Sequence, residues 1–149
     1  MPPMRYLLTS LCLIALCLAS HPSHADTLPA PDSVEPKTRG FMQQVANGKV
    51  TEAYGSLAPY LGVSQEPFDA SAKEADTYFK KVFDRAGKTL DIARVKREAI
   101  DDHFYRETWL QKFAEAAMAW QFTFYQATDG WKLVGISYTT DIESLYSLY

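Results

Sequence analysis

The stretch AWQFTFYQATDGWKLVG, residues 119–135, predicts an antiparallel hairpin. Its first half alternates, so three large aromatic side chains share one face of a central strand: Trp120, Phe122 and Phe124. Asp129-Gly130 then supplies the two positive-φ positions of a tight turn. We expect residues 131–139 to return beside the first strand. A bulge is expected near Gly135, where the apolar residues change from odd-numbered to even-numbered positions.

The residues before this hairpin predict two further strands. Residues 90–100 are rich in β-branched and charged side chains, which favours a strand with one solvated face that ends at Asp101-Asp102. Residues 103–113 alternate, and the more aromatic set is the predicted inner face: His103, Tyr105, Glu107, Trp109, Gln111 and Phe113. A register error of one residue would instead turn Arg106 and Lys112 inward. Together the four segments predict a curved antiparallel sheet of about four strands.

Helical spacing dominates the chain ahead of the strands. A first helix is expected from Asp32 or Ser33 to Asn47-Gly48, and a shorter one over residues 51–58, which Pro59 ends. Ser71 and Glu74 have the spacing of a capping box, and the apolar stripe behind them predicts a third helix that stops at Gly87. Helices followed by strands indicate an α+β fold, with the N-terminal helices packed on the sheet.

These residues carry a resemblance to a known superfamily. The runs 120–125 and 129–134, closing near Tyr138 and Asp141, resemble the last hairpin of small exported bacterial domains with the cone-shaped fold of the nuclear transport factor two-like, or cystatin-like, superfamily. The resemblance implies a cone fold. It implies no activity, because the superfamily contains ketosteroid isomerase and scytalone dehydratase beside many noncatalytic binding and dimerisation modules, and no catalytic residue of those enzymes aligns here.

The N-terminus has the features of a signal peptide. Arg5 gives a positive start, and residues 6–19 are uncharged and mainly apolar but too short to span a bilayer, so no stable membrane anchor is expected. Small residues precede a possible signal-peptide cleavage site before Asp26, which is the favoured site. Cleavage after Ala19 is the alternative. We therefore expect a leader over residues 1–25 and a periplasmic or secreted protein.

Removal of this leader limits the chemistry of the remaining chain. Both cysteines, Cys12 and Cys17, and two of the three histidines, His21 and His24, lie within it. The processed chain would then have no disulfide, no cysteine nucleophile and no Cys/His zinc site. The full chain has a net charge of −3 and scattered basic residues, so it offers no positive surface of the kind that binds nucleic acid.

The processed chain has the length of a single domain. We expect residues 26–32, which are acidic and Pro-rich, to be a flexible lead-in, and residues 33–141 to form the cone-fold domain. Residues 142–149 repeat Ser-Leu-Tyr and form a tail. That tail would either dock a partner or seal a dimer through Tyr146 and Tyr149, or else fold back over the edge of the cone.

Glu107 is the most informative polar residue of the predicted inner face. One hypothesis places it at the mouth of the cone, where it would bind a polar group of a mostly apolar ligand together with Tyr105, Trp109, Gln111 and Trp120. The competing interpretation is an ordinary cross-strand ion pair on an exposed sheet face, with one of three bases: Arg94, Lys96 or Arg97.

These observations predict an exported, non-catalytic binding or protein-interaction module. Its partners would be a small apolar or amphipathic ligand or an envelope protein, and the outer sheet face also allows a homodimer. No catalytic residue, metal site or cofactor is predicted. The alternative is a small cofactor-free isomerase or dehydratase with His103, flanked by Asp101 and Asp102, or Glu107 as its base.

Overall fold

The chain forms three helices followed by a four-stranded antiparallel sheet, as a computed structural model of residues 26–146 describes. The elements are α1 (Val34–Ala46), α2 (Val50–Leu57), α3 (Gln65–Ala86), β1 (Asp91–Ile100), β2 (Phe104–Lys112), β3 (Ala117–Ala127) and β4 (Gly130–Thr139). The strands lie in the order β1-β2-β3-β4, each antiparallel to the next. The predicted α+β class and sheet are confirmed, while the predicted leader, with both cysteines, and Tyr149 lie outside the described residues.

The start of α3 corrects the prediction of a capping box at Ser71 and Glu74. The helix begins six residues earlier, at Gln65, after Ser64 in extended backbone. Pro67 is tolerated because it lies in the first turn, where a backbone N–H has no partner within the helix. The Ser71 hydroxyl donates to the Pro67 carbonyl at 3.0 Å, so it bonds within the helix and does not cap it.

The sheet register confirms the predicted inner face from Tyr105 onward and the bulge in the last hairpin, whereas His103 lies in the exposed turn before the strand and not on that face. Trp109 lies opposite Trp120, and both belong to the inner face, which packs on the helices. The β3–β4 register shifts where Thr123 pairs with Gly135 and Phe124 with Leu133. β1 carries a second bulge that the sequence did not indicate, because its pairing skips Val95.

Aromatic side chains fill the space between the helices and the inner face. The Phe41 ring of α1 meets the Trp120 ring at 5.5 Å and the Phe122 ring at 4.9 Å, both edge-on. Trp109, Trp120 and Phe122 are fully buried. This geometry adds to the large apolar burial that stabilises the domain.

The expectation of a flexible lead-in over residues 26–32 is wrong for its middle. The Leu28 N–H donates to the Trp131 carbonyl at 2.9 Å, and the Trp131 N–H donates back to Leu28 at 2.8 Å. The Leu28 side chain is 4% exposed. Gly130, with a φ of +140°, permits this approach, because a Cβ there would lie 2.8 Å from the Leu28 carbonyl oxygen. The β-bridge and the burial of Leu28 therefore attach this segment to the domain, although the residues on either side of Leu28 are polar or proline.

Residues 142–146, the described part of the tail, fold back over the outer face of the sheet, the face turned away from the helices. A short 3₁₀ turn, Ile142–Leu145, lies against β3. Its hydrogen bonds in the described part of the chain stay within residues 139–146. Tyr146 is 74% exposed. Across residues 26–146, no helix combines the length and apolar character needed to cross a membrane.

Candidate functional site

Glu107 lies at the centre of a buried polar cluster between α1 and the sheet. The residue is fully buried, and each carboxylate oxygen accepts two hydrogen bonds. One oxygen, Oε2, accepts from the Thr38 hydroxyl at 2.5 Å and from Trp109 Nε1 at 3.1 Å. The other, Oε1, accepts from Arg94 Nη1 at 2.8 Å and from the Tyr105 hydroxyl at 2.9 Å. Four donors satisfy the full acceptor capacity of a carboxylate.

The cluster continues to the surface through Arg94. Its second guanidinium nitrogen meets Glu35 at 2.8 Å, and Glu35 also pairs with Arg39 one turn further along α1. The Arg39 guanidinium lies 5.1 Å from the centre of the Trp109 ring. This closed ring of contacts ties α1 to β1 and β2.

Burial and hydrogen bonding shift two pKa values at this cluster. Burial, reinforced by the hydrogen bond to Glu107, raises the pKa of Tyr105 to about 12. The hydrogen bond from Arg39 lowers the pKa of Glu35, with the Arg94 charge acting in the same direction. Tyr105 therefore stays a neutral donor, and Glu35 stays an anion, at neutral pH.

The ion-pair interpretation of Glu107 describes part of this arrangement. Arg94, one of its three predicted partners, does pair with it, although the pair lies inside the fold and not on an exposed sheet face. Arg97 lies directly opposite Glu107 in the register, yet the diagonal neighbour Arg94 makes the bond. A base at Glu107 would have to give up one of these four bonds to accept a proton.

Gln111 and Trp120 form a second buried pair on the inner face. Trp120 Nε1 donates to Gln111 Oε1 at 2.9 Å, and Gln111 Nε2 donates to the Thr89 hydroxyl at 2.8 Å. The structure thus brings the predicted ligand-binding residues into two clusters whose polar groups bond to the protein itself. Their role in binding a ligand stays a prediction.

His103 lies in the exposed turn between β1 and β2. The backbone N–H of His103 donates to the Ile100 carbonyl at 3.1 Å. Asp101, in the same turn, adopts a φ of +46°. Among residues 26–146, no group of three or more His, Cys, Asp or Glu side chains could hold a metal ion.

Three residues of the cluster were not identified from the sequence: Glu35, Thr38 and Arg39. They occur at three- and four-residue spacing on α1, so they share one side of the helix beside the apolar stripe. That polar stripe was the available signal. It was not interpretable alone, because a polar stripe on an amphipathic helix usually faces solvent.

The outer face carries an exposed apolar cluster at the β1–β2 turn, here called the turn patch: Ile100, Phe104 and Tyr125. Ile100 is 68% exposed, and the Phe104 and Tyr125 rings lie 5.7 Å apart. A cavity of about 370 Å³ adjoins the patch and is lined by Glu98, Ala99, Ile100, Phe104, Arg106 and Thr123.

A second cavity, here called the tail groove, lies between the outer face and the tail. Its volume is about 280 Å³, and its lining residues are Val95, Lys96, Leu110, Ile142, Leu145 and Tyr146. Neither outer-face cavity is lined by the residues predicted to bind a ligand inside the cone.

No protein-family model matches this chain, and no curated protein matches its sequence. Among solved structures it is similar to a protein from Thiobacillus denitrificans described as a calcium/calmodulin-dependent protein kinase type II association domain, at 11% identity and a TM-score of 0.42, over 77% of this chain and 98% of that one. It is also similar to a cystatin-like protein from Ruminococcus gnavus, at 12% identity and a TM-score of 0.42, over 97% of this chain and 50% of that one. The likeness concerns the fold, in which helices precede a four-stranded antiparallel sheet.

Proposed function

We propose that this chain is an exported, non-catalytic interaction module, and that a second copy of the chain docks on the outer face of its sheet. The observation that carries the proposal is the turn patch. Ile100, Phe104 and Tyr125 expose a contiguous apolar surface, while the large aromatic side chains of the inner face are buried. Contiguous exposed apolar clusters commonly mark interaction sites, whereas single exposed apolar residues do not.

The filled interior supports binding at the surface over chemistry in the cone. Trp109, Trp120 and Phe122 occupy the space between sheet and helices, and the polar atoms beside them are hydrogen-bonded. The isomerase or dehydratase alternative has less support, since His103 is exposed and Glu107 already accepts four hydrogen bonds.

A second copy suits the outer face because the charges there are of both signs. Lys96, Glu98 and Arg106 lie next to the turn patch, so the face carries no strong field that would select a partner of one charge. A two-fold interface requires a surface that complements itself, and alternating charges beside an apolar cluster provide this.

The face is also large enough for a dimer. Four strands about 4.8 Å apart, each about ten residues long at about 3.4 Å per residue, span about 19 by 34 Å, or roughly 650 Å². Residues 142–146 lie over part of this area, so they would belong to the interface. Standard interfaces bury about 800 Å² per partner. Face-to-face packing of two sheets can therefore reach the size of a stable interface.

Sedimentation velocity on the protein recovered from the periplasm of an expressing bacterium tests the proposal. The unaltered chain should sediment as a dimer, and Ile100→Glu should sediment as a monomer. A two-fold interface contains the residue twice, so losing its burial costs about 3–6 kcal/mol of association. Val63→Glu is the matched control, because Val63 is 48% exposed in the loop between α2 and α3, and it should leave the dimer intact.

A monomer at every concentration of the unaltered chain would contradict the pairing. N-terminal sequencing of the same preparation tests export. It should begin at Asp26, the residue after the favoured cleavage site, whereas a start at Met1 would remove the leader from the proposal.

A further inference from the structure

Two cross-strand pairs on the outer face, at the end of β1 and the start of β2, have complementary members. Ile100 lies opposite Phe104, so both members of that pair are apolar. Glu98 lies opposite Arg106, so the members of that pair carry opposite charges. All four residues line the cavity of about 370 Å³ beside the turn patch, which places them on one continuous surface.

The Glu98 and Arg106 charges do not form an ion pair with each other, although they lie side by side. Arg106 Nε donates to the Thr123 hydroxyl at 3.1 Å, and within residues 26–146 the Arg106 guanidinium makes no ion pair. A guanidinium has five N–H donors, so most of them remain for an acceptor outside the chain. The Glu98 carboxylate meets Lys96 at 3.4 Å and is 42% exposed, so it is accessible to a donor from outside.

A two-fold axis that runs along the strands, midway between β1 and β2, brings these residues onto one another. Two sheets that pack face to face keep their strand directions within about 30° of each other. The axis of a symmetric pair therefore runs either nearly along the strands or nearly across them. An axis along the strands between β1 and β2 exchanges each residue with the one opposite it, so Ile100 meets Phe104 of the second copy and Glu98 meets Arg106 of the second copy.

Two other positions of the axis fit this surface less well. An axis across the strands at the level of Glu98 sets Glu98 against Glu98 and Arg106 against Arg106. An axis along the strands between β2 and β3 sets Arg106 on Thr123, which buries the guanidinium without an acid. Of these three positions, the axis between β1 and β2 alone supplies an apolar contact and a counter-charge together.

We propose that the second copy docks about this axis, so that Glu98 of each copy pairs with Arg106 of the other beside reciprocal contacts of Ile100 with Phe104. This inference rests on the pairing of two copies proposed above and adds the position of the axis and the residues that select the partner. The ion pairs form between copies, so they contribute to association and not to the stability of a dissociated chain.

Charge reversal in separate chains tests the proposal, with Arg106→Glu in one and Glu98→Arg in the other. Each variant alone sets like charges against each other at two places in the dimer, so its dimerisation should weaken at least about a hundredfold. In an equimolar mixture of the two variants, opposite charges meet at both places, so a mixed dimer should form within about tenfold of the affinity of the unaltered chain. Sedimentation velocity measures dimerisation, and native mass spectrometry identifies the mixed dimer because the two variants differ in mass.

The mixture separates a pair between copies from a pair within one chain. An ion pair within the chain would not be restored by mixing, because each variant still holds two like charges of its own. One chain with both reversals should dimerise as the unaltered chain does. Lys80→Glu is the matched control, since it reverses a charge on α3, where Lys80 pairs with Asp76 at 2.7 Å, and it should leave dimerisation unchanged. Circular dichroism of each variant establishes that it is folded.

A mixture that stays monomeric, while the unaltered chain is a dimer, would overturn this axis and leave the pairing of two copies standing. Single variants that dimerise as the unaltered chain does would also overturn the axis, because the interface would then lie away from both charges. An unaltered chain that is a monomer at every concentration would overturn the axis and the pairing together.

Discussion

Glu107→Gln tests whether the buried cluster holds α1 on the sheet. The change keeps the shape of the side chain but replaces one acceptor oxygen by an NH₂ group. That group must face either the Arg94 and Tyr105 pair or the Thr38 and Trp109 pair. Hydroxyls can turn to accept a hydrogen bond, but guanidinium and indole N–H groups cannot. Either orientation therefore sets one fixed donor against another.

The expected loss follows from the burial of the ion pair. Removing one partner of a buried ion pair costs about 3–5 kcal/mol, because the remaining charge loses its compensation. Arg94 keeps Glu35 at 2.8 Å and is 19% exposed, which places the loss at the lower end, about 3 kcal/mol. For a domain of this size the melting temperature should fall by roughly 10 °C.

Urea unfolding at neutral pH, followed by tryptophan fluorescence, measures this free energy. Glu98→Gln is the matched control, because its pair with Lys96 spans 3.4 Å at an exposed site and should contribute less than about 1 kcal/mol. A loss below about 1 kcal/mol for Glu107→Gln, or an equal loss for both variants, would refute the inferred role of the cluster.

The double substitution Arg94→Met with Glu107→Leu separates charge burial from packing. Here both charges leave together, and two of the three remaining donors have other partners: Trp109 Nε1 already lies 3.1 Å from the Thr38 hydroxyl, which lies 3.2 Å from the Glu35 carbonyl. The third donor, the Tyr105 hydroxyl, belongs to a partly exposed residue. Replacing both ions of a buried pair by apolar side chains is often neutral. We expect the double variant to be more stable than Glu107→Gln in the same urea assay.

Two further perturbations test other parts of the fold. Gly130→Ala should lower the free energy of unfolding by about 1–3 kcal/mol, since its φ of +140° and the Leu28 carbonyl at 2.8 Å both oppose a Cβ, whereas Gly48→Ala, with nothing within 4 Å, should cost less in the same urea assay. The Tyr105 pKa, raised from 10.0 to about 12, makes the folded chain hold a proton that the unfolded chain releases, so this contribution is complete below about pH 10 and is lost as the pH rises to about 12. Tyr105→Phe should therefore flatten part of the alkaline fall in stability, measured by urea titrations across that range.

The last hairpin could be predicted because local signals agree there. Alternation over Trp120, Phe122 and Phe124 gives the buried face, and Asp129-Gly130 locates the turn to within one residue. The predicted pair of positive-φ positions is wrong, because Ala127 pairs with Gly130 and the turn residues are therefore Thr128 and Asp129, while only Gly130 of the predicted pair has a positive φ. The shift of apolar parity near Gly135 even locates the bulge. Each of these features depends on residues close together in sequence.

Features that depend on distant partners could not be predicted. Leu28 is one apolar residue in a Pro-rich run, and only the edge of β4, about a hundred residues later, makes it part of the core. The start of α3 was misplaced because Ser71 and Glu74 form a valid capping pattern within a helix that begins at Gln65. The bulge at Val95 leaves no trace in the periodicity of β1.

Glu107 shows that the position of a polar residue on a predicted inner face is not enough to determine its role. The alternation placed it inward, which is correct, and an inward carboxylate must be solvated, paired or protonated. Strand pairing offered Arg97 as the nearest base, but the bulge at Val95 and the side of α1 that bears Thr38 and Glu35 make Arg94 the partner. Helix α1 supplies the Thr38 donor and carries the second acid, Glu35. The cluster can therefore form only when the helix packs on the sheet. The same residue pattern without that polar stripe would have left the carboxylate unpaired inside the cone, where a ligand or a catalytic proton would have been the better explanation.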